Sequence, residues 1–222
     1  LHWYFIRQEN EPALDAANAN DMGVFIISPT DKGGHLHSPS SKLLELCSPL
    51  HPIEFNDLFC LRNKRIHTLS VGASKPEDLE IHLNAISLID SDNTPELIRK
   101  IEKQLINASY SSLGESWMTT WHIGLPLWEN TPGEINIPIL LWLYNLIEAW
   151  GMEGFAKDRY GLLGRGGHWF PGLNADSFDC EVSEKDLQKV LINSPWSSEI
   201  PDILRKLKNQ LGGERRDRLW GL

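Results

Sequence analysis

The residues best suited to chemistry sit in one stretch, Gly23-Val24-Phe25-Ile26-Ile27-Ser28-Pro29-Thr30-Asp31-Lys32-Gly33-Gly34. Residues 24–27 are apolar without interruption, and a short run apolar on both faces reads as a buried, typically parallel strand. Ligands of α/β sheets sit where strands deliver their C-terminal loops. Here that loop offers the Ser28 hydroxyl and the Lys32 cation to an anion, and Gly33-Gly34 allows close approach of the backbone. The stretch therefore reads either as a phosphate-binding βα loop or as a surface turn with ordinary glycines. His35 and His37 flank it and read as exposed polar residues. Ser28 has no Gly-x-Ser-x-Gly context, which argues against a serine hydrolase. Cys47, Cys60 and Cys180 are too widely spaced for a disulfide framework and suggest a reducing, cytoplasmic setting. His122 with Cys180 is too sparse a set for a metal site.

Those residues need a scaffold, and the chain of 222 residues is long enough for one or two domains with a real core. Its net charge of −9 argues against a general binder of nucleic-acid backbones. The basic run Arg215-Arg216-Asp217-Arg218 reads as a solvated tail. No segment has the apolar length of a membrane span, and no signal peptide is visible. Strands are predicted over residues 1–6, 23–27 and 66–71. Helices are predicted over 11–20, 52–61 and 76–86, with a single helical turn at 43–46. Pro12 suits a first helical turn, and Ser74, Glu77 and Asp78 suit a helix start. This β-α-β-α-β-α order implies a parallel sheet covered by helices. Because Leu1 already lies in an expected strand, the fold is expected to begin upstream of it.

From Thr94 onward the pattern is helical, with helices predicted over 94–110, 138–150, 152–163 and 201–211. Eight of the nine tryptophans lie from Trp117 onward, and their dispersion reads as packing anchors rather than a base-stacking platform. Ile135-Asn136-Ile137-Pro138-Ile139-Leu140 is echoed by Glu199-Ile200-Pro201-Asp202-Ile203-Leu204. An echo of this sort suggests a duplicated module.

Several phrases carry a family resemblance. They are Asn10-Glu11-Pro12-Ala13-Leu14, Met22-Gly23-Val24-Phe25-Ile26-Ile27-Ser28-Pro29, the Gly-Gly loop, and Ser70-Val71-Gly72-Ala73-Ser74-Lys75-Pro76-Glu77-Asp78-Leu79. The first part of the chain resembles the last third of an aldo/keto reductase. The phrases Ile135-Asn136-Ile137-Pro138, Leu143-Tyr144-Asn145, His168-Trp169-Phe170-Pro171-Gly172, Asn174-Ala175 and Ile200-Pro201-Asp202-Ile203-Leu204-Arg205 resemble the C-terminal extension of a bacterial subgroup that carries ferredoxin-like clusters. The resemblance implies an α/β fold: the last three βα units of a (β/α)8 barrel in residues 1–92, then an all-helical extension in 93–222.

By that resemblance, Trp3 stands where an aromatic stacks on nicotinamide. Ser28, Pro29, Thr30, Lys32 and Gly33 lie on the pyrophosphate loop, and Gly72, Ala73, Ser74 and Lys75 hold the adenosine end. The implied cofactor is NADP or NAD. An Arg usual in the last helix is replaced by Asp78, whose charge would repel a 2′-phosphate. The implied reaction is hydride transfer to a small carbonyl substrate. The catalytic Asp, Tyr, Lys and His of the family come from strands that are not in this chain, so no catalytic residue is assigned. The cluster cysteines fall on His122, Leu125, Trp128, Thr131 and Ser194, leaving only Cys180. No iron–sulfur cluster is expected, since clusters need thiolates, and Trp128 could fill the vacated space. Three readings follow: the cofactor half of an oxidoreductase, a non-catalytic binding module, or a degenerate truncated relic without activity. An unpaired edge at residues 1–6 would call for a second copy, a partner, the missing half or a rearranged fold to cover it.

Overall fold

A computed structural model describes residues 1–165 and 170–213. His168, Trp169 and the basic run at 215–218 lie outside the described residues. The chain divides into two units, Leu1–Ala108 and Ser109–Leu222. The sequence places the division at 92/93; in the structure it falls within a single long helix.

In the first unit β1 (Phe25–Ile27) pairs in parallel with β2 (Thr68–Ser70), Ile26 lying opposite Leu69. The ladder extends through His67 N to Val24 O at 3.0 Å and Ser28 N to Ser70 O at 3.2 Å. Pro12 opens α1 (Glu11–Ala19). Ser40 Oγ accepts from Leu43 N to start α2 (Ser41–Cys47). α3 (Pro52–Leu61) begins with a reciprocal cap: His51 Nδ1 accepts from Ile53 N, and Glu54 Oε2 accepts from His51 N. A 3-10 turn at Pro76–Leu79 leads into α4 (Glu80–Leu88), and α5 runs Thr94–Leu113.

Two expectations are corrected here. The strand over residues 1–6 does not form. The Leu1 amine donates to Phe25 O at 2.7 Å and its carbonyl accepts from Ile27 N at 3.0 Å, after which Tyr4 and Arg7 close a tight turn. Trp3 and Tyr4 are both buried in the same core, whereas successive residues of a strand point to opposite faces. The second correction concerns β1, which is not buried on both faces. Ile26 is fully buried, but Phe25 is 60% and Ile27 41% exposed. Trp3, Tyr4, Leu14, Phe59 and Ile66 cover the Ile26 side only. The unit is thus α/β with two parallel strands among the described residues, not a closed barrel.

The second unit is helical: α6 (Glu115–Thr120), α7 (Ile137–Trp150), α8 (Glu153–Leu162), α9 (Glu184–Val190) and α10 (Ile200–Leu211). The echoed phrases open α7 and α10, each with Pro in its first turn. Leu140, Leu141 and Leu143 of α7 and Leu204 and Leu207 of α10 are fully buried. Asn136 caps α7 by accepting from Ile139 N at 3.2 Å, and it donates to Pro171 O at 2.7 Å. Asn136→Ala loses both bonds and lowers stability by about 1–2 kcal/mol, measurable as a fall in the urea midpoint. No helix among the described residues is long and apolar enough to cross a membrane.

Candidate functional site

The parallel pairing puts the C-terminal ends of β1 and β2 side by side, Ile27 opposite Ser70. The loops that follow leave the same end of the sheet and enclose a cleft of about 320 Å³. Four residues singled out from the sequence line it: Ser28, Thr30, Gly72 and Ser74. Asp31, His37, Ser70 and Val71 complete the wall. Of the other candidates, Trp3, Pro29, Lys32, Gly33, Ala73 and Lys75 do not line it.

The loop after β1 is held by its own bonds. Thr30 O accepts from Leu36 N at 2.9 Å, and Asp31 O accepts from His35 N at 2.9 Å. His35 Nε2 lies 3.0 Å from Asp31 Oδ1. Gly33 packs against the Pro29 carbonyl, which also accepts from Asn56 Nδ2 at 3.1 Å. The close approach this glycine permits is therefore to the loop's own backbone. Thr30 is 4% exposed, and its hydroxyl has no hydrogen-bond partner. A buried hydroxyl left unpaired costs about 1–3 kcal/mol.

The loop after β2 has its own anion. Asp78 Oδ2 accepts from Ser74 N at 2.9 Å and Lys75 N at 3.2 Å. The Ser74 amide foremost, with Lys75, holds the Asp78 carboxyl below the usual carboxylate range. A phosphate on those amides would have to displace it.

Lys32 turns elsewhere. Its Nζ donates to His2 Nε2 at 3.1 Å. Burial, reinforced by the Lys32 charge, lowers His2 to about 4, so the imidazole is neutral near pH 7. With Nε2 accepting, the ring proton sits on Nδ1 and is donated at 2.6 Å to the Tyr4 oxygen. Tyr4 in turn donates to Ile27 O. Trp3 is buried, stacks on Phe59 at 4.9 Å and donates from Nε1 to Glu11 Oε2 at 2.7 Å. Its place is the core beside the sheet.

A second feature was not found from sequence. Asp57 of α3 and His82 of α4 are both buried, with His82 Nδ1 2.5 Å from Asp57 Oδ2. Asp57 Oδ1 and His82 Nε2 have no partner. The pair borders a cavity of about 280 Å³ with Leu61, His67, Leu69 and Ile86. The one signal was the polar pair Asn56-Asp57 in the middle of a helix that is apolar apart from them and Glu54.

In the second unit, Thr131 Oγ1 lies 2.6 Å from both Trp128 O and Ile135 O. Ser194 Oγ accepts from Trp196 N at 3.3 Å. The Trp128 Cβ packs on Gly172. Cys180 is exposed, its Sγ 3.2 Å from Lys208 Nζ.

No known family, curated protein or solved structure matches this chain.

Proposed function

We propose that the chain is the cofactor-binding portion of an aldo/keto-reductase-like oxidoreductase, taking the nucleotide end of NAD(H) or NADP(H) in the cleft beyond β1 and β2. The observation that carries this reading is the convergence of Ser28, Thr30, Gly72 and Ser74 on one cleft at the carboxyl ends of two adjacent parallel strands, with the buried Thr30 hydroxyl unpaired. Their hydroxyls suit ribose or amide groups, and Gly72 leaves open space for them. The fit is poorer for a 2′-phosphate. Asp31 adds a carboxylate to the lining and Asp78 already occupies the Ser74 and Lys75 amides, which favours NAD(H).

When bound, the dinucleotide would supply the hydride for reducing a carbonyl. This chain's residues would bind and orient it; the acid that protonates the carbonyl oxygen would come from outside the chain. A cytoplasmic setting suits both the cofactor and the free thiols.

The alternative is a non-catalytic interaction module, favoured by the exposed apolar face of Phe25 and Ile27. One experiment separates the two. The protein is titrated with NADH, NADPH and ADP-ribose by calorimetry. Saturable binding with NADH tighter than NADPH is expected, and Asp78→Arg should narrow or reverse that order. Absence of saturable binding to all three would sink the oxidoreductase reading and leave the module.

A further inference from the structure

The second unit carries a cavity of about 420 Å³ lined by aromatic, acidic, seryl and aliphatic side chains. Trp117, Tyr144 and Trp196 line it, with Glu199 and Asp202. The ring planes are steeply inclined. Trp117 meets Tyr144 at 77° with centroids 5.8 Å apart, and Trp196 at 62° with centroids 5.1 Å apart. Both contacts are edge-to-face, so Trp117 meets each neighbour without stacking on it.

The polar edges of both indoles are already used. Trp117 Nε1 donates to Asn145 Oδ1 at 2.6 Å, and Trp196 Nε1 donates to Thr120 Oγ1 at 3.0 Å. These bonds fix the rings. What the two indoles can still present to a ligand is the negative potential of their π faces, which attracts cations. Tyr144 already does so, with Lys206 Nζ 5.2 Å from its ring centroid while also paired to Glu148. Both lining carboxylates already have a partner. Ser198 Oγ donates to Glu199 Oε2 at 2.8 Å, and Arg205 Nη1 donates to Asp202 Oδ1 at 2.8 Å. Neither Lys206 nor Arg205 lines the cavity.

We propose that this aromatic cavity binds a small quaternary ammonium ion, its substituted nitrogen against Trp117, Tyr144 and Trp196 and its charge balanced by Glu199 and Asp202. A primary amine or hydrated metal ion would have to draw on the oxygens of Ser112, Ser198, Glu199 and Asp202. A quaternary nitrogen has no proton to satisfy and gives up little hydration. The volume suits a small molecule, and the chain's net charge of −9 raises the local concentration of cations. This proposal is independent of the dinucleotide reading, whose residues all lie in the first unit.

The test is titration of the full chain with choline, followed by tryptophan fluorescence and calorimetry, beside 3,3-dimethylbutan-1-ol, its neutral isostere. Choline should bind saturably and the isostere about tenfold or more weaker. Trp196→Leu should weaken choline about tenfold or more. Glu199→Gln, an exposed change that leaves the circular dichroism spectrum and melting midpoint intact, should weaken it a few-fold. Equal binding of choline and its isostere, no saturation by choline, or choline affinity untouched in Glu199→Gln and Trp196→Leu would each overturn the proposal. A trimethyllysine peptide or phosphatidylcholine vesicles binding while free choline does not would overturn it as well, since the ligand would then be a macromolecular surface.

Discussion

Asp57→Ala lowers the free energy of unfolding by about 3 kcal/mol. The carboxyl lies in the buried middle of α3, and His82 reaches it from α4. Removing it leaves an imidazole with neither nitrogen paired, Nε2 being without a partner already. The loss is thus the desolvation penalty of His82 more than the worth of one bond. Asp57→Leu combined with His82→Leu should be far less destabilising than the sum of the two single changes, because both polar groups are then gone and the neighbouring cavity has room for the added methyls. Urea titrations of the four proteins in this cycle measure the coupling; additive effects would mean the two side chains do not support one another.

The same pair makes a pH prediction. Burial first, with a smaller push from the Glu54 charge, raises Asp57 above its ordinary 3.8, and the bond to His82 offsets part of the rise. A carboxyl raised on folding holds its proton more tightly in the folded chain. Its contribution to stability is complete below about 3.8 and is lost as pH rises through the folded value. Asp57→Asn has no proton to lose. Its stability relative to the parent protein should therefore improve as the pH is raised from about 4, and a constant difference across that range would refute the assignment.

What the sequence discloses about this protein follows the range of the forces involved. Helices set by local capping and apolar spacing are legible. α3 has the predicted bounds, and α7 and α10 begin at their Ile-Pro steps. Short α6 and α9 bury only Trp117 and Leu187 respectively, so their pattern is too slight to read. The stretch over 1–6 is β-branched and aromatic enough for a strand, but tertiary packing of both Trp3 and Tyr4 overrides that propensity. The site is legible in part for the same reason. Ser28, Thr30, Gly72 and Ser74 follow strand ends, and strand ends are visible. Asp31 and His37 join them through a loop in which Ser28 and His35 take positive φ, a path that the neighbouring residues do not dictate. Asp57 and His82 lie 25 residues apart on separate helices, and only the packing of those helices brings them together.

Two glycines of the cleft region separate folding from binding. A Cβ on Gly33 would lie 1.8 Å from the Pro29 carbonyl oxygen and 3.2 Å from Asn56 Nδ2. The obstacle is backbone, which cannot swing aside as a side-chain tip can. Asn56 holds that carbonyl from α3 while accepting from Phe5 N at 3.4 Å. Gly33→Ala must therefore move the loop or break the Asn56 link, and it should cost about 2–3 kcal/mol of stability. Gly72 faces open space, with nothing within 4 Å of an added Cβ, and it lines the cleft. Gly72→Ala should leave stability unchanged or raise it by up to about 1 kcal/mol by restricting the unfolded chain. Yet its methyl occupies room that a bound nucleotide would use, so NADH affinity should fall about tenfold or more, a loss of about 1.4 kcal/mol or more in binding. Urea midpoints and NADH titrations of both variants test this division. If Gly72→Ala binds NADH as tightly as the parent protein, the ligand does not rest against the loop after β2. If Gly33→Ala matches the parent in stability, the loop after β1 is not fixed by its contact with Pro29.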